Sequence, residues 1–169
     1  EPLLSAQSTA EAIATITTDQ IEQAVDQAIN DNFLHRKNAT IDDYGGNILL
    51  VRDIICRYIG SGVLPYDAAH PDFRVECLEH EVSTPFEFES KGEKKCVLFK
   101  GTADRIDTLD SGIVRVVDYK TGASHLMFEG VENLFEGTSK QRQSNIIQTL
   151  LYSMMITRSE GRAVVPALY

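Results

Sequence analysis

Two stretches of the chain place charged residues where an apolar strand would otherwise continue: Gly101-Thr102-Ala103-Asp104-Arg105-Ile106-Asp107 and Val116-Val117-Asp118-Tyr119-Lys120-Thr121-Gly122. Between them, Asp110-Ser111-Gly112 has the makings of a three-residue hairpin loop with Gly at the left-handed position. Leu109 then pairs with Ile113, and Asp104 stands directly opposite Asp118. Cross-strand partners have Cβ atoms about 4.5–5.5 Å apart, close enough for two carboxylates to hold one divalent ion. Lys120 repeats the face of Asp118, because strand side chains alternate with a period of two. The same three residues on a solvated sheet face would be an ordinary cross-strand ion pair. Val114 and Val116 share that face, however, and buried like charges repel unless a cation or a proton intervenes. From the spacing alone, site and surface remain equal alternatives.

The elements that must carry these groups follow from periodicity. Ile16-Thr17-Thr18-Asp19-Gln20-Ile21 reads as a helix start, with Thr17 and Gln20 forming a capping box and Ile16 and Ile21 a hydrophobic staple. About four helical turns follow, with Ile21, Val25, Ala28, Ile29 and Phe33 on the buried face. A second helix is expected from Asn47 to Ile59, stopped by Gly60 and Gly62, and Pro65 to Pro71 reads as a connector. Four strands are expected near 73–82, 85–89, 95–107 and 113–120, with turns at Ser90-Lys91-Gly92-Glu93 and around Ser111. A long loop then leads to a helix whose stripe is Ile146, Ile147, Leu150, Leu151, Met154 and Met155. Gly161 ends that helix, and 163–169 reads as a further strand. Helices, a strand meander, then a helix and a strand make a mixed α/β layer fold.

Composition narrows the classes. The 169 residues are 43% hydrophobic and 24% charged, which is a folded domain rather than a disordered chain. A net charge of -9 argues against binding nucleic acid through a bulk positive field, and leaves room for a local basic strip aided by metal ions. Cys56, Cys77 and Cys96 lie about twenty residues apart with no C-x-x-C pair, so buried reduced thiols are expected rather than a disulfide framework or a zinc site. No apolar run approaches the roughly 20 residues that cross a bilayer, and the first residues lack the pattern of a signal peptide, which predicts an intracellular protein.

The run G-x-x-D-R-I-D, then D-Y-K-T-G, resembles motifs II and III of the PD-(D/E)XK nuclease superfamily. The Q-x-x-x-Y pair Gln148 and Tyr152, on one face of the late helix, is similar to an element of its RecB and AddB branch. The resemblance covers roughly residues 73–169 and implies an α/β, restriction-endonuclease-like core with a mixed central β-sheet flanked by helices. On this division, 1–72 are a helical N-terminal part and 73–169 the catalytic core. It implies an Mg²⁺- or Mn²⁺-dependent deoxyribonuclease of the bacterial cytoplasm, acting on DNA ends or single strands in recombination and repair beside a helicase region. Asp104 and Asp118 would be metal ligands, the Tyr119 carbonyl would complete the metal shell, and Lys120 would orient or activate the attacking water. Glu81 is the match for an acidic residue on the preceding strand, with Glu79 and Glu76 as alternatives. Gln148 and Tyr152 would support the site or touch the DNA backbone, and Lys140 and Arg142 could add a strip for phosphate.

The chain departs from the family pattern in one respect: the G-x-x-x-H-x-x-L-E helix of many members does not occur, and His35 and His70 have other neighbours. The sequence therefore reads as a piece of a longer protein. Some AddB-type relatives carry an iron-sulfur cluster on four cysteines, and the three here lack that spacing, so no cluster is expected. Two rivals accompany the nuclease reading: a nuclease-fold scaffold that binds DNA or a partner without cleaving, and a sequence-specific restriction-type enzyme.

Overall fold

The structure, a computed structural model, describes residues 3–36, 39–70, 72–120, 130–135 and 143–169. It divides into two compact units, Glu1–Phe73 and Arg74–Tyr169. No helix among the described residues is long and apolar enough to cross a membrane.

The first unit is helical. Helix α1 (Ala10–Ala14) is capped by Thr9, and α2 (Thr18–Ala28) by the expected capping box. In that box the Thr17 N–H donates to Gln20 Oε1 at 2.8 Å and the Gln20 N–H to Thr17 Oγ1 at 3.3 Å. Beyond α2 the chain continues through a wider π-helical turn, Ile29–Leu34, and leaves Phe33 exposed rather than on the buried face. Helix α3 (Gly46–Tyr58) crosses to α2 through Arg52, whose buried guanidinium donates to Asp26 at 2.6 and 2.9 Å and to Glu22 at 3.0 Å.

Gly60 and Gly62 do not stop the chain, contrary to expectation. A π-helical turn, Ile59–Val63, passes through them into α4 (Leu64–Ala69), which takes up most of the expected connector. Pro65 sits in the first turn of α4, where its missing N–H needs no partner. At Gly60 a Cβ would come within 3.3 Å of Ile21, so the glycine gives α2 room to approach.

The second unit is a four-stranded sheet in the order β1-β2-β3-β4: β1 (Phe73–Ser90), β2 (Glu93–Leu109), β3 (Val114–Asp118) and β4 (Val164–Leu168). The two strands expected at 73–82 and 85–89 are one. Pro85 does not interrupt it, because an edge strand has one side that needs no ladder donors. The turn at Lys91-Gly92 has both residues at positive φ, 56° and 79°, as a two-residue hairpin requires.

β2 and β3 are antiparallel, Arg105 opposite Val117 through Thr108 opposite Val114, in the expected register. The loop closes as expected, with the Leu109 N–H donating to the Ile113 carbonyl at 2.8 Å and Gly112 at φ 79°. β4 joins β3 in parallel, Val114 opposite Val164 through Asp118 opposite Leu168.

Helix α5 (Ser144–Glu160) covers one face of this sheet, with Tyr152, Met155 and Ile156 packed on Val82, Ile106, Val114 and Val116. Its buried stripe differs from the expected one. Thr149 and Ser153 are buried, whereas Ile147, Leu150, Leu151 and Met154 are only half-buried. The buried hydroxyls are satisfied within the helix, Thr149 by the Asn145 carbonyl at 2.9 Å and Ser153 by the Thr149 carbonyl at 3.0 Å, which makes their burial cheap. The three cysteines are free thiols, but none is fully buried: Cys56 and Cys77 are half-buried and Cys96 is exposed. The result is an α/β, restriction-endonuclease-like layer of mixed sheet and helix.

Candidate active site

Asp118 is the last residue of β3, and Asp104 sits one position beyond the observed β2–β3 pairs, where a continued register would set it against Asp118. The Tyr119 N–H donates to Asp104 Oδ2 at 2.8 Å, which ties the β2 carboxylate to the chain just past its partner. Lys120 Nζ lies 2.6 Å from Asp118 Oδ2 and donates to Gln148 Oε1 at 3.2 Å. Gln148 Nε2 in turn donates to the Tyr152 hydroxyl at 2.7 Å. One face of a hairpin and one face of α5 thus meet in a continuous polar chain: carboxylate, ammonium, amide, phenol.

Two features that the sequence left unread hold this geometry. Gly101 is the first: a Cβ there would stand 2.4 Å from the Tyr152 ring, so only glycine lets that ring lie against β2. The signal was a glycine inside a strand pattern, which marks close approach by another group without naming it. The second is the segment after β4. The Lys120 N–H donates to the Tyr169 carbonyl at 2.7 Å and the Tyr169 N–H to the Asp118 carbonyl at 3.1 Å, extending the parallel ladder through the site.

The electrostatics leave one atom short. Asp118 is 2% exposed, and its Oδ2 is buried without a hydrogen bond of good geometry. The Lys120 ammonium compensates its charge at 2.6 Å, off the line a hydrogen bond requires. A buried carboxylate whose one close partner is that ammonium keeps oxygen lone pairs that could bind a hard divalent cation, which binds through oxygen.

The third acidic position is different. Among the described residues no group of three or more His, Cys, Asp or Glu side chains is placed to hold a metal. Glu81 is exposed beside Val82, whose side chain belongs to the core under α5, so strand alternation turns Glu81 to the face away from Asp118. Glu79, the alternative, is exposed at a positive φ of 48°. Glu76 is engaged elsewhere: Arg162 donates to it at 3.0 Å through both terminal nitrogens, and Thr108 also binds it. The Arg162 hydrogen bonds, seconded by Thr108, hold the Glu76 carboxyl below the usual range. Lys140 and Arg142 lie outside the described residues.

The opposite face of the same hairpin carries a second charged cluster. Asp107 is fully buried and takes hydrogen bonds from Arg105 at 2.7 and 3.0 Å and from Arg115 at 2.9 and 2.7 Å. Arg105 also donates to the Tyr119 hydroxyl at 3.1 Å, and the Tyr169 ring lies 6.0 Å from each guanidinium.

No match was found among curated proteins or among solved structures. A family comparison does match, over residues 5–169, and so takes in both the helical unit and the sheet unit. Its description is the PD-(D/E)XK nuclease superfamily. By that match over nearly its whole length, the chain belongs to the PD-(D/E)XK nuclease superfamily.

Proposed function

We propose that the chain is the nuclease domain of a RecB- or AddB-type protein, an Mg²⁺- or Mn²⁺-dependent deoxyribonuclease that hydrolyses DNA ends or single strands during recombination and repair. On this reading it works beside a helicase region in the bacterial cytoplasm. The observation that carries the reading is the unbroken contact chain from Asp118 through Lys120 and Gln148 to Tyr152. It joins the superfamily's acid-x-lysine element to the Q-x-x-x-Y element of that one branch.

Asp104 and Asp118 would hold the ion, with the Tyr119 carbonyl as a further oxygen donor. Bound there, the ion supplies charge neutralisation at the phosphodiester and acidifies a water for attack. Lys120, steered by Asp118 on one side and Gln148 on the other, orients that water and favours its deprotonated form. Gln148 and Tyr152 are positioning residues, since they reach the reaction through Lys120. Lys140 and Arg142 would supply phosphate contacts.

A second reading rests on a specific observation. Among the described residues no three acidic or other metal-ligating side chains converge, which suits a scaffold that binds DNA or a partner and no longer cleaves. Calorimetric titration of Mn²⁺ into the parent chain and into an Asp104→Ala, Asp118→Ala variant, with both assayed on labelled single-stranded DNA, separates the two. The nuclease reading expects ion binding and cleavage by the parent and neither by the variant. Equal ion binding by both chains removes the site, and ion binding by the parent without cleavage favours the scaffold.

A further inference from the structure

The core ends well before the β1–β2 hairpin does. From Pro85 through Thr102 no residue is buried, yet the ribbon is rich in rings and apolar side chains: Phe88 is 39%, Val97 41% and Leu98 57% exposed. Such a surface is costly to leave bare in water and needs an occupant. Its rings form a connected set. Phe86 lies 6.3 Å from Phe88 and meets Phe99 edge-on at 5.8 Å, while the Arg158 guanidinium from α5 stands 5.0 Å over the Phe86 ring.

Charge limits the choice of occupant. In a chain of net charge -9, strand alternation puts Lys95, with Glu93 at 3.9 Å, on the face of Phe99, and Arg158 adds a further cation over Phe86. Position limits it further. Phe99 and Lys100 line a groove of about 510 Å³ whose other wall includes Gln148 and Tyr152 of the candidate active site. A string of rings flanked by Arg158 and Lys95 that opens onto the candidate active site suits a polymer with flat faces and a regular negative charge.

We propose that this aromatic ribbon is a binding track for a single strand of nucleic acid, delivering it along Phe88, Phe86 and Phe99 to the Asp104–Asp118 pair. The proposal deepens the nuclease reading and rests on it for the identity of the site at the track's end. Unpaired bases offer open faces that stack on phenyl rings, and the lysines follow the backbone. A duplex hides those faces within its own stack, so the track discriminates against it.

Fluorescence anisotropy of labelled oligothymidylate tests the track in the full chain carrying Asp104→Ala and Asp118→Ala, which removes cleavage. Adding Phe88→Leu and Phe99→Leu keeps the apolar volume and deletes the rings. About tenfold weaker binding per ring is expected, with recovery in Phe88→Trp and Phe99→Trp and no change for duplex DNA of the same length. Unchanged affinity in the leucine variants, or tryptophan variants that stay weak, would overturn the track. Sedimentation showing a parent dimer that the leucine substitutions dissociate would also overturn it, and assign the face to a second copy of the chain. Ring-dependent binding without Mn²⁺-dependent cleavage by the parent keeps the track and removes the nuclease reading. Cleavage with ring-independent binding does the reverse.

Discussion

The two faces of the β2–β3 hairpin carry similar residues and treat them in opposite ways. On the face away from α5, Asp107 is fully buried between Arg105 and Arg115 and accepts four hydrogen bonds from them. On the face under α5, Asp118 is as deeply buried, and its Oδ2 has a single ammonium, that of the part-exposed Lys120, at 2.6 Å. The first arrangement is closed: an added cation would meet two arginines. The second is less closed: one ammonium stands where the first has two guanidinium groups, which leaves carboxylate lone pairs for a divalent ion. Burial of an acid is therefore a poor marker of function, and the count of donors around it is a better one.

The sharpest way to break this comparison is to neutralise each acid in turn without added metal. Asp107→Ala should cost about 3–5 kcal/mol, because it strands the wholly buried Arg105. Asp118→Asn should cost far less, since it removes a buried charge and leaves the part-exposed Lys120 able to reach water. Urea unfolding of both variants reads the difference, and similar losses would erase the distinction between the faces.

A smaller effect tests how the open face is held. Gly101→Ala pushes a methyl group into the Tyr152 ring, so we expect a stability loss of about 1–3 kcal/mol. Nuclease activity should fall further than that loss explains, because the ring anchors Gln148 and through it Lys120. Thermal unfolding and cleavage assays on one preparation check this. Full activity would show that the polar chain to Tyr152 does not matter.

The smallest effect concerns the rim. Glu76 is held below the usual carboxyl range by Arg162 and then Thr108, so its contribution is present above the unfolded value near 4.5 and is lost as pH falls through the lower folded value. Melting temperatures of the parent and Glu76→Gln should differ at neutral pH by a degree or two, as suits a half-exposed pair, and should converge in acid. A gap that persists in acid would place the contribution outside this ion pair.

Local signals made the hairpin legible. Gly112 fixed the loop, and the loop fixed the register from Arg105 opposite Val117 to Thr108 opposite Val114; a one-residue slip would have turned Asp118 to the other face. The capping box at Thr17 was equally local. What stayed hidden was set by tertiary contact. Gly60 read as a stop although it makes room for α2, and 73–82 and 85–89 read as two strands although β1 runs unbroken through Ser83 and Thr84. The buried stripe of α5 was misplaced because Thr149 and Ser153 satisfy their hydroxyls on their own backbone, which hydrophobic periodicity does not register. Glu81 matched a motif by order along the chain, whereas strand parity turns it from the pair.

The bonds between Tyr169 and the backbone at Asp118 and Lys120 have a consequence for the order of folding. The β2–β3 hairpin can form from neighbouring residues, which brings the two acids together early. The lysine, however, is fixed only when a strand about fifty residues later in the chain docks alongside, after α5 has made the crossover. An incompletely folded molecule therefore has the acids without the aligned amine. Hydrolytic competence becomes a late property of the assembled sheet, and a half-made nuclease spares the nucleic acid around it.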